Sequence, residues 1–177
     1  INPFGGIHFV HNQIQRAGID KLIDNQLGQR PSQATYSYSD IIQNLWNVYF
    51  CGGDCSEDLN EHLHAYLKQS PQGKVANADT VLRVLKSLKT DTGTVTSTAG
   101  KQYETSRNDM LNQLNISMLK SLRQLTPGGY HDFDYDNEVL PTEKYDTTRT
   151  YKWCKGYFPG MATIQGMPVY FENRAGN

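Results

Sequence analysis

The sequence predicts an α+β chain, with a mostly helical amino-terminal region over residues 1–125 and the opening strands of a mixed α/β domain over 126–177. Two observations carry this. Up to about residue 126 the apolar side chains recur at helical spacing, and beyond it tyrosine, threonine, glycine and alternation take over. Composition adds a third. With 37% apolar and 20% charged residues, the 177-residue chain can build one large core or two small ones and lacks the make-up of a disordered chain.

Ile7, Val10, Ile14 and Ile19 predict a short helix broken at Gly18, and Leu22, Ile23 and Leu27 a second, stopped by Gly28 and Pro31. Residues 39–50 read as a third, capped by Ser37 or Ser39, since a serine hydroxyl accepts from the free N–H groups of a first helical turn. Gly52-Gly53 ends it. Ser56-Glu57-Asp58-Leu59 opens the next helix with acids at its positive end, and Leu59, Leu63 and Leu67 form its inward stripe. Asn77 or Asp79 begins another, with Val81, Leu82, Leu85 and Leu88 as its apolar face. Residues 90–100 are polar and expected to be a linker or exposed loop. Tyr103, Met110, Leu111, Leu114, Ile116, Leu119 and Leu122 predict one long helix from 101 to about 125.

The last fifty residues change period. From Asp132 onward the alternation predicts a strand, which Pro141 is expected to close because proline has no backbone donor. Residues 161–164 and 167–172 read as a hairpin about Gln165-Gly166. No helix follows to cover the sheet face these runs imply. The chain is therefore expected to be part of something longer, its open face closed by homodimerisation or by the 101–125 segment.

Several classes are disfavoured. The formal net charge is −1, whereas a compact nucleic-acid module is usually basic, so only a local patch would serve. The three cysteines, Cys51, Cys55 and Cys154, are odd in number and widely spaced, unlike a disulfide-built secreted domain. No run of 18 apolar residues offers a membrane span. The opening Ile1-Asn2-Pro3-Phe4 is neither an initiator methionine nor a signal peptide, so the native start is expected upstream or removed.

The strongest chemical feature is Asp132-Phe133-Asp134-Tyr135-Asp136, followed by Glu138. Alternate residues share a strand face, so three carboxylates, and with Glu138 a fourth, would line one side. Such like charges repel unless neutralised, and a divalent cation with hard oxygen ligands does this. The competing reading is a solvated acidic edge strand. Residues 74–101 carry five bases, Lys74, Arg83, Lys86, Lys89 and Lys101, against Asp79 and Asp91. Arg83 and Lys86 share a helix face that could meet phosphates or a major groove; a helical bundle with a solvated basic side explains the same pattern. Cys51, Cys55, His62 and His64 fit no zinc spacing well, so satisfied or buried cysteines are preferred. Lys144, Arg149, Lys152 and Lys155 interleave with Tyr145, Tyr151, Trp153 and Tyr157, a stretch suited to a polyanion or, equally, to an aromatic core with a basic rim.

Asp134-Tyr135-Asp136-Asn137-Glu138, Lys155-Gly156-Tyr157-Phe158-Pro159-Gly160 and the run from Pro168 through Arg174 to Asn177 together resemble the first half of the catalytic domain of DDE-type transposases of bacterial insertion sequences. Phe4-Gly5-Gly6, Tyr38-Ser39-Asp40, Cys51-Gly52-Gly53 and the run from Ala78 to Arg83 resemble the helical amino-terminal region of the same enzymes. The resemblance covers nearly the whole chain and lies in the order and spacing of the pieces. It implies a ribonuclease-H-like fold for 126–177, and an amino-terminal DNA-binding region. Its first catalytic acid matches Asp136, with Asp134 the alternative; Glu138 stands where a threonine is common.

The resemblance also implies Mg²⁺ or Mn²⁺ held by Asp136 and Asp134 with two further acids that nothing in 1–177 matches. The parent enzyme would then nick and join double-stranded DNA at transposon terminal repeats, in a bacterial, nucleoid-associated cytoplasmic setting, and this chain alone would be inactive. Arg83, Lys86, Lys89 and Lys155 are the expected DNA contacts. A helical DNA-binding or self-association module without catalysis, and a metal-dependent nuclease of the same fold, are the alternatives.

Overall fold

The structure, a computed structural model, describes residues 2–69, 74–96, 98–128 and 130–175, and it divides into two units, Ile1–Lys89 and Thr90–Asn177. Gly176 and Asn177, the end of the resembling stretch, lie outside the described residues. The chain is α+β, a helical region followed by a sheet region. Among the described residues no helix is long and apolar enough to cross a membrane.

In the first unit, helices α1 (Ile7–Arg16) and α2 (Ile19–Leu27) are separated at Gly18, whose φ of 67° is the left-handed conformation that glycine adopts without penalty. Helix α3 (Tyr38–Phe50) starts at a capping box. Ser37 Oγ accepts from the Asp40 N–H at 3.1 Å, and the Asp40 carboxylate accepts from the Ser37 N–H at 2.8 Å. Ser39, the other cap candidate, instead donates through its N–H and its hydroxyl to Asp24. A π-helical turn (Leu59–Leu63) then runs into the short helix α4 (His64–Leu67), and Leu59, Leu63 and Leu67 are all buried, as their spacing predicts.

Helix α5 (Ala78–Ser87) is fixed by three asparagines. Asn77 caps it by accepting from the Thr80 N–H at 2.8 Å, Asn60 accepts from the Ala78 N–H at 3.0 Å, and Asn44 on α3 donates to Lys74 O and accepts from the Ala76 N–H. Ile41 and Val48 pack with Val81 and Val84 in one core. The inward stripe of α5 is Ala78, Val81 and Val84, with Leu85 packed against the same core and Leu88 buried just past the helix end, while Leu82 is exposed. Leu82 lies a quarter-turn or so from Val81, at about 100° per residue, and side-chain type alone does not say which of the two faces in.

The second unit is a sheet in which every pairing is antiparallel. Its strands are β1 (Gly93–Thr96), β2 (Gln102–Ser106), β3 (Phe133–Asn137), β4 (Leu140–Pro141), β5 (Thr148–Arg149), β6 (Lys155–Ile164) and β7 (Met167–Ala175), in the order β1-β2-β7-β6-β3, with β4 and β5 also on β6. Gln165 and Gly166, at φ 51° and 75°, form the β6–β7 turn the sequence predicts. Positive φ at both positions matches the twist of a tight hairpin.

Four sequence expectations fail here. Residues 101–125 are not one helix, because Tyr103 and Thr105 alternate on β2 with Thr105 buried, and α6 (Asp109–Ser121) begins only where Asn108 accepts from the Leu111 N–H at 3.0 Å. The 90–100 stretch contains strand β1, and the unit boundary falls at Lys89 rather than near 125, so α6 belongs with the sheet. Pro141 does not leave the ladder but sits in β4 opposite Gly156, on an edge where its missing donor costs nothing. The side-chain amide of Asn112 on α6 both donates to Phe171 O at 3.0 Å and accepts from the Phe171 N–H at 2.9 Å, imitating a strand partner where β2 has stopped pairing with β7.

Candidate functional site

Asp134 and Asp136 lie on β3, opposite Thr163 and Met161 of β6. Two positions apart on a strand, they share a face at a Cα separation of about 6.7 Å. Both are exposed. The strand is at the end of the sheet and, among the described residues, pairs with β6 alone, so it is an edge strand. The face also carries Met161 and Phe171, directly across from Asp136 and one strand further, both exposed. The Asp136 carboxylate accepts from the N–H of Asn137 at 2.7 Å. Asp132 and Glu138 fall just outside the strand, Asp132 accepting through its carbonyl from the Gln165 N–H.

Phe133 and Tyr135 share the opposite face of β3 but differ in burial. Tyr135 is half-buried, whereas Phe133 is largely exposed near the strand's open end.

The oxygens of Asp134 and Asp136 are hard donors of the kind Mg²⁺ and Mn²⁺ take. Their number is short, however: among the described residues no group of three His, Cys, Asp or Glu side chains is placed to hold a metal. The pair fits as part of a larger ligand set.

The opposite face holds a polar network that alternation does not single out as a site. Glu172 on β7 is almost wholly buried and accepts from Tyr135 OH at 2.7 Å, Tyr170 OH at 2.9 Å and Arg174 Nε. The Arg174 guanidinium lies over the rings of Tyr103 and Tyr135, with centroids at 4.7 and 5.5 Å. Gly160, between Asn137 and Glu172 in the register, leaves room for the Tyr135 ring to cross the sheet; a Cβ there would come within 2.6 Å of Asn137 Oδ1 and closer still to the Tyr135 hydroxyl. Burial pushes the Glu172 carboxyl up, but the three donors outweigh it and hold the group below the usual carboxylate range. Burial and the bond to Glu172 raise Tyr135. The signal for this network is the opposite-charge spacing Glu172-Asn173-Arg174 with Tyr170 in the same period-two phase.

Arg83, Lys86 and Lys89 are exposed; Arg83 and Lys86 sit one turn apart on α5, and Lys89 follows its end. Lys74, counted with them in the sequence, pairs with Asp40 at 3.5 Å. Lys155 opens β6, exposed, six positions from Met161 and thus about 20 Å along the strand from Asp136. Arg83, Lys86 and Lys89 belong to the first unit, and Asp134, Asp136 and Lys155 to the second. The first unit also holds a small polar cavity lined by His11, Asp20, Asn47 and Lys74 among others, which no sequence motif marks. His11 Nε2 bonds Asn47 Oδ1 there at 2.8 Å, while His11 Nδ1 and Asp20 Oδ1 are buried without a protein partner.

Comparison with protein-family models, curated proteins and solved structures found no match to this chain.

Proposed function

We propose that this chain carries the first acidic strand and the DNA-contacting helical region of a DDE-type transposase. The observation that supports it best is the pairing of Asp134 and Asp136 on one exposed face of β3, within the antiparallel run β3-β6-β7. In the resembling family the first catalytic acid stands on the first strand of a ribonuclease-H-like sheet, and β3 has the matching motif. Asp136, with Asp134 beside it, would contribute oxygen ligands to Mg²⁺ or Mn²⁺. When bound with further acids, such an ion activates a water or terminal hydroxyl and stabilises the leaving oxygen of a phosphodiester. The openness of the Asp134–Asp136 face suits a substrate as large as duplex DNA. Arg83 and Lys86, with Lys89 as support, would meet backbone phosphates of the terminal repeats.

The test uses the full-length protein and DNA bearing the element's terminal repeats, with Mn²⁺ or Mg²⁺. Asp136→Asn is expected to lower cleavage on the order of 1,000-fold, since it removes metal-borne charge stabilisation of several kcal/mol. Asp132→Asn, outside the strand, should change it little. Cleavage that survives both Asp134→Asn and Asp136→Asn would refute the assignment. For the helical region, binding measured against salt should weaken steeply, and Arg83→Ala or Lys86→Ala should each reduce the log–log slope by about one. Affinity indifferent to salt and to both changes would favour a self-association module.

A further inference from the structure

Residues 144–155 carry Lys144, Arg149, Lys152 and Lys155 against one acid, Asp146, in a chain of net charge −1. That acid accepts a hydrogen bond from Tyr157 OH at 2.7 Å, which ties it to the sheet. The aromatic side chains interleaved with these bases could have formed a core. They do not: Trp153 is 79% exposed, Tyr145 98% and Tyr151 50%.

Trp153 is held out by its backbone. It lies in the turn between β5 and β6 at φ 64°, a left-handed conformation that bulky side chains rarely adopt. The turn is closed by Thr150 N–H to Cys154 O at 2.9 Å, Trp153 N–H to Thr150 O at 3.0 Å and Thr150 Oγ1 to Cys154 O at 3.0 Å, with Thr150 itself buried. Unfavourable backbone conformations persist where the surroundings over-determine them, and they cluster at functional sites. The Arg149 guanidinium lies 4.9 Å from the centroid of the Trp153 ring and the Lys152 ammonium 5.8 Å from that of Tyr151. Together with Lys101 and Thr150, the residues Arg149, Tyr151 and Trp153 line an open depression.

We propose that this turn binds single-stranded nucleic acid, its bases stacking on Trp153 and Tyr151 and its phosphates meeting Arg149, Lys152 and Lys101. Every base offers a π-face to an exposed ring, and an adjoining basic surface tracks the backbone. A duplex fits less well, because its base faces are covered by their neighbours. A lipid surface also fits less well, because no aliphatic side chain lines the depression to enter the acyl region. The site lies apart from Asp134 and Asp136 in the sequence and needs no metal, so it stands or falls independently of the transposase reading.

The chain has two tryptophans, Trp46 on α3 and Trp153. Titrating the full chain with a 15-nucleotide oligothymidylate in EDTA at low salt should quench tryptophan emission. The quench should persist in Trp46→Phe and vanish in Trp153→Phe, while anisotropy of a labelled oligonucleotide still reports binding by the latter. Trp153→Ala should weaken binding by about 5- to 100-fold, the loss of one base–aromatic stack. Arg149→Ala, which leaves the indole in place, should lower the salt slope by about 0.7. Circular dichroism of each variant checks that the fold is kept. The proposal is overturned by unchanged affinity in both Trp153→Ala and Arg149→Ala. It is equally overturned by duplex of the same length displacing the oligonucleotide, or by Trp153 emission that ignores it and shifts blue with phosphatidylserine vesicles.

Discussion

Replacing Glu172 by glutamine removes one charge from the centre of the sheet at almost constant volume. The carboxylate is 7% exposed and accepts from two tyrosine hydroxyls and the Arg174 guanidinium, while Thr105 Oγ1 donates to it at 3.3 Å. A hydrogen bond to a charged group contributes about 1.5–3 kcal/mol and a neutral one about 1 kcal/mol. Neutralising the acceptor thus weakens each of three bonds by roughly 0.5–1 kcal/mol, and the 23%-exposed Arg174 recovers part of its loss from water. The expected cost is about 2 kcal/mol. Urea unfolding followed by Trp153 emission in a Trp46→Phe background reports the sheet unit separately. The pH dependence supplies the sign. The folded-state pKa of Glu172 is lowered, so its contribution is complete above the ordinary glutamate value of about 4.3 and is lost as pH falls through the lower folded value. Wild type and Glu172→Gln should therefore differ most near neutrality and converge below about pH 4. Equal urea midpoints at pH 7, or a gap that widens on acidification, would refute this account of the network.

Two further substitutions test how the sheet is closed. Asn112→Ala strips both backbone partners from Phe171 and should cost about 2–3 kcal/mol, seen as faster hydrogen exchange at the Phe171 amide with little change on β3. Gly156→Ala would bring a methyl group against backbone, within 3.1 Å of the Leu140 carbonyl carbon and 3.2 Å of Pro141 Cα, and should destabilise the sheet unit by about 1–3 kcal/mol in the same urea assay.

Most of the helical unit is legible in the sequence because its signals are local, although Ile19 opens α2 instead of closing α1 and the π-helical turn at Leu59–Leu63 has no signal there. Ser37 and Asn77 sit where a cap must sit, Gly18 and Gly28 supply the left-handed breaks, and the leucines at 59, 63 and 67 state their own face. The region from 90 to 125 is not legible in this way. The apolar spacing of 110–122 is truly helical, and it invites an extension back through Tyr103 because one aromatic residue satisfies either period. What makes Gln102–Ser106 a strand is pairing on both sides, with β1 in a hairpin and with β7 some seventy residues away, and the apolar spacing records neither. Pro141 misleads for a similar reason. Proline excludes a residue from the interior of a sheet, but β4 is an edge, and the sequence does not say which strands are edges.

The same limit divides the site. Period two puts Asp134 and Asp136 together and puts Tyr135 on the other side, and both follow from the sequence. Which face is wet does not follow. It depends on Gly160, whose missing side chain lets Tyr135 reach across β6 to Glu172, and on Arg174, which returns along β7 to the same carboxylate. Buried carboxylates survive only when their lone pairs are filled, and Glu172 has its donors. Asp134 and Asp136 stay in water, where solvent screens two like charges on one face. The division of labour on β3 thus follows from solvation. The inward residues of the strand lock the sheet, so changes to the outward carboxylates leave intact the contacts that hold the strand in place.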